Sequence, residues 1–274
     1  MCRLKAVVCA AAALLLLSPV SRALADGQIV PASSPPVELE GYLVAPFENA
    51  SPVANLGWMS SALAVLVAEK LEALPQLRPV YGAAILDAWP AKLDEARALV
   101  RAREAGARLL VTGRFARPNW KSEVTVRLLA VEPNGLREVA SETVVGERDA
   151  LFDLLDQALD RALAKRGLTP SGDALAALHR RPTKDLYAFT LFGRALNLYF
   201  GIGGTKSDEQ AEKILSRTTF IDPKFAEAHR MLALIHQEMG EGGKAMGQYA
   251  HALDLRADYY AALAGLGRLQ RQAG

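Results

Sequence analysis

The sequence predicts a mixed-sheet α/β domain, with elements in the order βαβαβββα, followed by an all-α helical array. Three observations carry this reading. Up to about residue 166, short apolar or alternating runs are interleaved with stripes of helical period. Pro, Gly and charge then gather in "TPSGDALAALHRRPTKD", residues 169–185, with little helical stripe until Leu186, so a linker is expected there. Beyond it the apolar stripes are helical and recur at a fixed spacing.

Ahead of the first element, Arg3 and Lys5 precede an uncharged run from Ala6 to Leu17, and Ala23 and Ala25 flank a small-residue cleavage site. That order predicts a secretory signal peptide over 1–25, cut near Ala25, and a periplasmic mature protein. The run is too short to span a bilayer permanently, so no transmembrane segment is expected in the mature chain. Cys9 lies inside the run rather than after it, which argues against a lipid anchor. Cys2 and Cys9 both fall within the leader. The mature chain is therefore expected to hold neither a disulfide nor a thiol for redox, nucleophilic or zinc chemistry. Cleavage removes Arg3, Lys5 and Arg22 from 32 basic residues set against 30 acidic ones, and the near-neutral remainder argues against nucleic-acid binding.

After a flexible segment, 26–37, the α/β domain is expected over 38–168. "VELEGYLVAPF" ends in a strand that Pro46, lacking an N–H, should close. The next helix sets Met59, Leu63, Leu66, Val67, Leu71 and Leu74 on one stripe and Ser61, Glu69 and Glu72 on the other, an amphipathic helix covering a sheet. A second strand, 79–86, leads to a helix from about Ala91 to Ala105 that buries Leu93, Ala96, Leu99 and Val100, with Gly106 closing it. "RLLVTGRFA" gives the third strand. "EVTVRLLAV" alternates Val124, Val126 and Leu128 with Glu123, Thr125 and Arg127, and Asn134-Gly135 turns the chain into a strand near 137–145. Leu151, Leu154, Leu155, Ala158, Ala162 and Leu163 mark a final helix over 150–166.

Three stretches, "VAPFENASPVANLGWMSSALAVLVAEKLEAL", "AREAGARLLVTGRFAR" and "VTVRLLAVEPNG", resemble the TolB amino-terminal-like (FlgO/CsgG-like) domain family over roughly residues 38–166. The resemblance implies an exported α/β domain used for protein contacts in the cell envelope. The helical part, 186–274, resembles tetratricopeptide (TPR) repeats. With Pro223 of "FIDP" in the repeat's proline position, Ala211, Leu215 and Thr218 take packing positions. One period on come Leu232, Ala233, Gly240, Ala245, Tyr249 and Ala252, then Leu263, Leu266, Gly267 and Gly274. Two repeats and one further helix are expected. That helix either caps the array or begins a repeat that continues.

"YFGIGGTKSDEQ", residues 199–210, superficially suggests a phosphate loop, but it follows a helix rather than a strand. Ser207 and Gln210 form a capping box that starts the next helix, so the glycines are read as an elongated turn. His229 and His236, seven apart, coincide with packing positions and are read as structural; His179 falls in the linker and His251 on a helix surface. The carboxylate pair Asp153 and Asp156 reads as a solvated helix face. No catalytic residue, cofactor site or metal site is expected.

In such repeats the first helices line a concave groove. By register that face contains Tyr187, Thr190, Arg194, Asn197, Glu227, Arg230, Leu234, Gln237, Arg268 and Arg271. Four arginines against one glutamate suggest a protein or peptide partner with an acidic or carboxylate-bearing segment. Reversing Arg230 and Arg268 is expected to weaken that partner and leave the fold intact. The chain is thus read as an exported, non-enzymatic adaptor or scaffold in a bacterial envelope complex serving motility, import or secretion. The alternative is a ligand-sensing module with a small molecule at the strand ends near Asn49, Ser51 and Asn55.

Overall fold

The computed structural model describes residues 39–51, 56–80, 93–202 and 204–273, which form one compact unit. The leader, the segment 26–37, Asn55 and most of the second expected strand lie outside the described residues. In chain order the elements are β1 (Glu40–Val44), β2 (Glu48–Asn49), α1 (Met59–Leu71), β3 (Leu77–Pro79), α2 (Glu95–Glu104), β4 (Leu109–Ala116), β5 (Lys121–Glu132) and β6 (Gly135–Glu147). Helices follow: α3 (Leu151–Lys165), α4 (Gly172–Leu178), α5 (Leu186–Phe200), α6 (Asp208–Ile221), α7 (Ala226–Glu238), α8 (Gly242–Leu255) and α9 (Tyr260–Ala273). The segment read as a linker therefore holds the short helix α4.

The sheet is mixed, as expected, in the order β3-β1-β4-β5-β6, with β1 parallel to β3 and β4 and the two hairpins antiparallel. β1 ends before Pro46, and β2, too short to leave a periodic signal, adds to β4 in parallel just beyond it. One sheet face, with Tyr42, Val44, Val111, Val124 and Val126, packs into the main core; the other, with Leu43, Ala45, Leu110 and Leu129, meets α2. Ordinary alternation buries Leu128 and Leu129 of β5 on opposite faces, and a register shift opposite them leaves Val139 of β6 without a partner in the pairing. On α2 the buried stripe is Ala98 and Ala102, rotated from the expected one, and Val100 is exposed. Asp94 fixes its start by accepting from the backbone amides of Ala96 and Arg97.

The larger departure is α1. It was expected to be wet on one side, yet Ser61, Glu69 and Lys70 are buried with its apolar residues. The reason is a second layer: α5 packs across the face of α1 that the sheet leaves open. Phe189 of α5 is the hub, meeting Phe152 of α3 edge-on at 4.9 Å and Trp58 at 5.8 Å. Gly193 makes the close approach possible, because a Cβ there would stand 2.5 Å from the Trp58 carbonyl oxygen.

From α5 to α9 each helix packs on the next. The expected packing residues Ala211, Leu215, Thr218, Leu232, Ala233, Ala245, Tyr249 and Ala252 are all buried, while Leu263 is exposed on the last helix. Gly201, left-handed at φ 66°, ends α5, and the Ser207 hydroxyl accepts from the Gln210 amide to start α6. The glycine stretch is thus a connection between helices. Lys206 lies over the Tyr199 ring at 5.6 Å.

The Gly193 contact is testable against a glycine with free space around it. Gly193→Ala should lower stability by about 1–3 kcal/mol through overpacking. Gly247→Ala, on α8 with nothing within 4 Å, should raise it by about 0.5–1 kcal/mol. Urea midpoints moving in the same direction for both variants would refute the assignment.

Candidate functional site

Glu69 and Lys70 are neighbours on α1, so their side chains leave the helix about 100° apart. Lys70 turns toward α3 and α4. Its Nζ lies 2.8 Å from Asp156 Oδ1 and donates to the carbonyls of Leu178 and, at 3.2 Å, Arg180. Three oxygens thus surround a group with three donors. This corrects the solvated reading of the Asp153 and Asp156 pair: Asp153 meets Arg181 at the surface, whereas Asp156 is buried because α1 covers it. Burial disfavours charge on both partners, lowering Lys70 and raising Asp156, and their mutual attraction opposes both shifts.

Glu69 turns toward the helical layer. Arg230 of α7 approaches its Oε1 with Nε at 3.2 Å and Nη2 at 3.1 Å, and Tyr259 donates its hydroxyl to the same oxygen. Arg256 lies 4.0 Å from the other oxygen of Glu69 and 3.5 Å from Glu227, and stacks over the Tyr259 ring at 4.2 Å. The Glu227 carboxyl is pushed up to about 8, first by burial and then by the negative charge of Glu69.

Beside this cluster a cleft of about 440 Å³ opens between β1, α1, the end of α5, α7 and α9. Alanines 64 and 68 of α1, Met231 and Leu234 of α7, and alanines 261 and 264 of α9 give it apolar walls. Its polar groups are largely paired with one another. Besides Glu69 and Arg230, the Tyr199 hydroxyl donates to Glu238 at 2.6 Å and the Tyr249 hydroxyl to Gln237 Oε1 at 3.2 Å.

Of the residues expected in a groove, the structure brings Arg230, Leu234, Gln237 and Arg268 together at this cleft. Asn197 instead faces α1, donating to the Gly57 carbonyl at 3.0 Å and accepting from the Ser61 hydroxyl. Glu227 is enclosed in the charged cluster. Tyr187 lies at the start of α5 with Arg217 over its ring at 5.9 Å, and the Thr190 hydroxyl donates back to Leu186. Arg194 and Arg271 are exposed. The basic row that suggested an acidic partner is therefore not a row. Arg230 is neutralised by Glu69, and Glu238 joins Arg268 in the cleft wall.

The histidines do not gather at one site: His179 Nε2 is 2.8 Å from Asp160, and His251 meets the His229 ring edge-on at 4.3 Å. His229 sits with Nδ1 2.7 Å from Gln248 Oε1 and Nε2 3.1 Å from the Pro223 carbonyl, and His236 Nδ1 is 2.6 Å from Glu241. Among the described residues no group of three His, Cys, Asp or Glu is placed to hold a metal. At the strand ends, Asn49 Oδ1 accepts from the Ser51 amide in a local turn. Sequence reasoning missed Glu69, Tyr199, Glu238, Arg256 and Tyr259. One signal was available: "LAVLVA", residues 63–68, covers more than a full turn with apolar residues only, which marks a helix without a wet face there.

No protein-family model and no curated protein sequence matches the chain. Among solved structures it is similar to the LpoB C-terminal domain from Salmonella enterica, with 11% identity, coverage of 40% of this chain and 83% of that one, and a TM-score of 0.31. It is also similar to the hypothetical protein CT253 from Chlamydia trachomatis, with 13% identity, coverage of 47% and 93%, and a TM-score of 0.27. Likenesses of this size transfer neither fold nor role, so the functional reading rests on the side chains. Among the described residues no helix is long and apolar enough to cross a membrane.

The charged cluster has a pH signature. Glu227 holds its proton in the folded state up to about pH 8 but, once unfolded, only to about 4.5. Its stabilising contribution is complete below about pH 4.5 and is lost as pH rises to about 8, at up to about 1.4 kcal/mol per unit. Glu227→Gln should flatten that decline in denaturant midpoints between pH 5 and 9; an unchanged slope would sink the assignment. Contrary to the sequence expectation, Arg230→Glu should cost about 3–5 kcal/mol, because it sets a third carboxylate beside Glu69 and Glu227. Arg268→Glu, at an exposed position, should change stability by less than about 0.5 kcal/mol.

Proposed function

We propose that this chain is an exported, non-enzymatic adaptor in a bacterial envelope complex, combining a TolB amino-terminal-like α/β domain with tetratricopeptide-type hairpins. The repeat reading is supported by element spacing. α6 and α8 start at Asp208 and Gly242, and α7 and α9 at Ala226 and Tyr260, each pair separated by the repeat's length of about 34 residues. Export to the periplasm is inferred from the charged, apolar and small-residue order of residues 1–25.

The observation that carries the adaptor reading is the apolar surface of the helical part. Phe220 is 85% exposed and Tyr187 50%, with Leu186 beside Tyr187 and Arg217 one turn before Phe220. Large exposed aromatics beside an arginine have the composition of a protein-contact hot spot. The buried Lys70–Asp156 and Glu69–Arg230 pairs bridge α1 to its neighbours, which supports a structural reading of those groups.

Affinity capture from envelope extract provides the test. Wild type should retain a specific set of proteins that Tyr187→Ser with Phe220→Ser loses, at an unchanged melting temperature. Identical captured sets would move the contact elsewhere. Intact-mass analysis of the exported protein should show a chain starting near Asp26 without Cys2 or Cys9. An uncut or lipid-modified product would overturn the export assignment.

A further inference from the structure

We propose that the cleft between α1, α7 and α9 binds a small uncharged amphipathic molecule, an aliphatic chain ending in a hydrogen-bond-accepting head such as a hydroxyl. It goes beyond the adaptor reading and is tested on different residues. The space, about 440 Å³, falls in the range of small-molecule sites, roughly 300–1,000 Å³. Elsewhere the core is filled by Leu and Phe, but here α1 and α9 both present alanines, and these leave the room.

Charge decides the ligand class. Among the described residues, two guanidinium groups, Arg230 and Arg268, and two carboxylates, Glu69 and Glu238, line the cleft. A net charge on the ligand would meet as much repulsion as attraction. Glu69 is bonded to Arg230 and Tyr259, Glu238 to Tyr199, and Arg268 to the Tyr249 hydroxyl; Gln237 is the exception. Gln237 accepts from Tyr249 through its oxygen, and its amide nitrogen, with two donors, has no hydrogen bond among the described residues. Gln237 stands beside the exposed Glu238 and Arg268, so a head that accepts a hydrogen bond belongs at this end.

Length follows from α7. Arg230 and Gln237 lie two turns apart, about 10 Å, with Met231 and Leu234 lining the cleft between them. A chain of roughly eight carbons covers that apolar stretch, at about 1.3 Å of reach per bond. The Glu69 and Arg230 pair closes the inner end.

Normal alkanols from butanol to dodecanol, titrated calorimetrically into the wild-type chain, read this out. Affinity should rise about fourfold per methylene, equivalent to about 0.8 kcal/mol, and level off near eight carbons. Octanoate and octylamine should bind at least tenfold more weakly than octanol. Ala264→Leu should abolish binding with the melting temperature kept. Leu234→Ala, a second arm should Ala264→Leu fail to fold, should move the plateau to longer chains. Gln237→Leu should remove the advantage of octanol over octane-like probes. No binding below the solubility limit, an affinity indifferent to chain length, equal binding of octanoate, or an unaltered plateau in the folded variants would each overturn the proposal.

Discussion

Glu69 and Lys70 sit side by side on α1, and the burial of both dictates what surrounds that helix. A buried charge left without its partner costs about 3–5 kcal/mol, a large share of a domain's stability. Lys70 therefore requires Asp156 on one side, together with the carbonyls at the end of α4. Glu69 requires Arg230, Arg256 and Tyr259 on the other. Lys70 ties α1 to α3 and α4, Glu69 ties it to α7 and to Tyr259, and Ser61 and Gly57 tie it to Asn197 of α5.

The same arrangement governs the cleft. Arg230 belongs at once to the ion cluster and to the cleft wall, so electrostatic balance inside the fold becomes electrostatic neutrality of the opening. Glu227, holding its proton near neutral pH, adds no negative charge beside Glu69 there. Asp258, at 3.6 Å from Arg256 and 3.3 Å from Arg180, supplies a further negative charge from the solvent side. Structural charge and surface charge are thus graded from the centre outward.

Local signals in the sequence read well. The β5–β6 hairpin with its Asn134-Gly135 turn, the end of β1 before Pro46, and the Ser207 cap all follow from short-range chemistry and appear where expected. What failed was long-range. Glu69 looked wet because its neighbours in sequence suggest only one covering layer; the second comes from residues more than a hundred positions later. Asp156, too, is buried by a distant element, α1, which its own helix stripe does not reveal. The α2 stripe was rotated because a sheet face of Leu43 and Leu110 accepts small Ala98 and Ala102 more closely than it would accept Val100. For the cleft, repeat register alone brought Arg230, Leu234, Gln237 and Arg268 to one place. It could not show that Arg230 is already engaged, since its partner lies in the other half of the chain.

The long reach of those contacts bears on how the protein comes into being. Ser61 waits for Gly193 and Asn197, and Glu69 waits for Tyr259, close to the last residue described. Until those residues are in place, α1 has an uncovered flank and Glu69 an unmatched carboxylate. A chain interrupted before Tyr259 is then not a smaller working domain but an incomplete one, open to proteolysis through local unfolding. The chain must extend past Tyr259 before it can close over its own first helix.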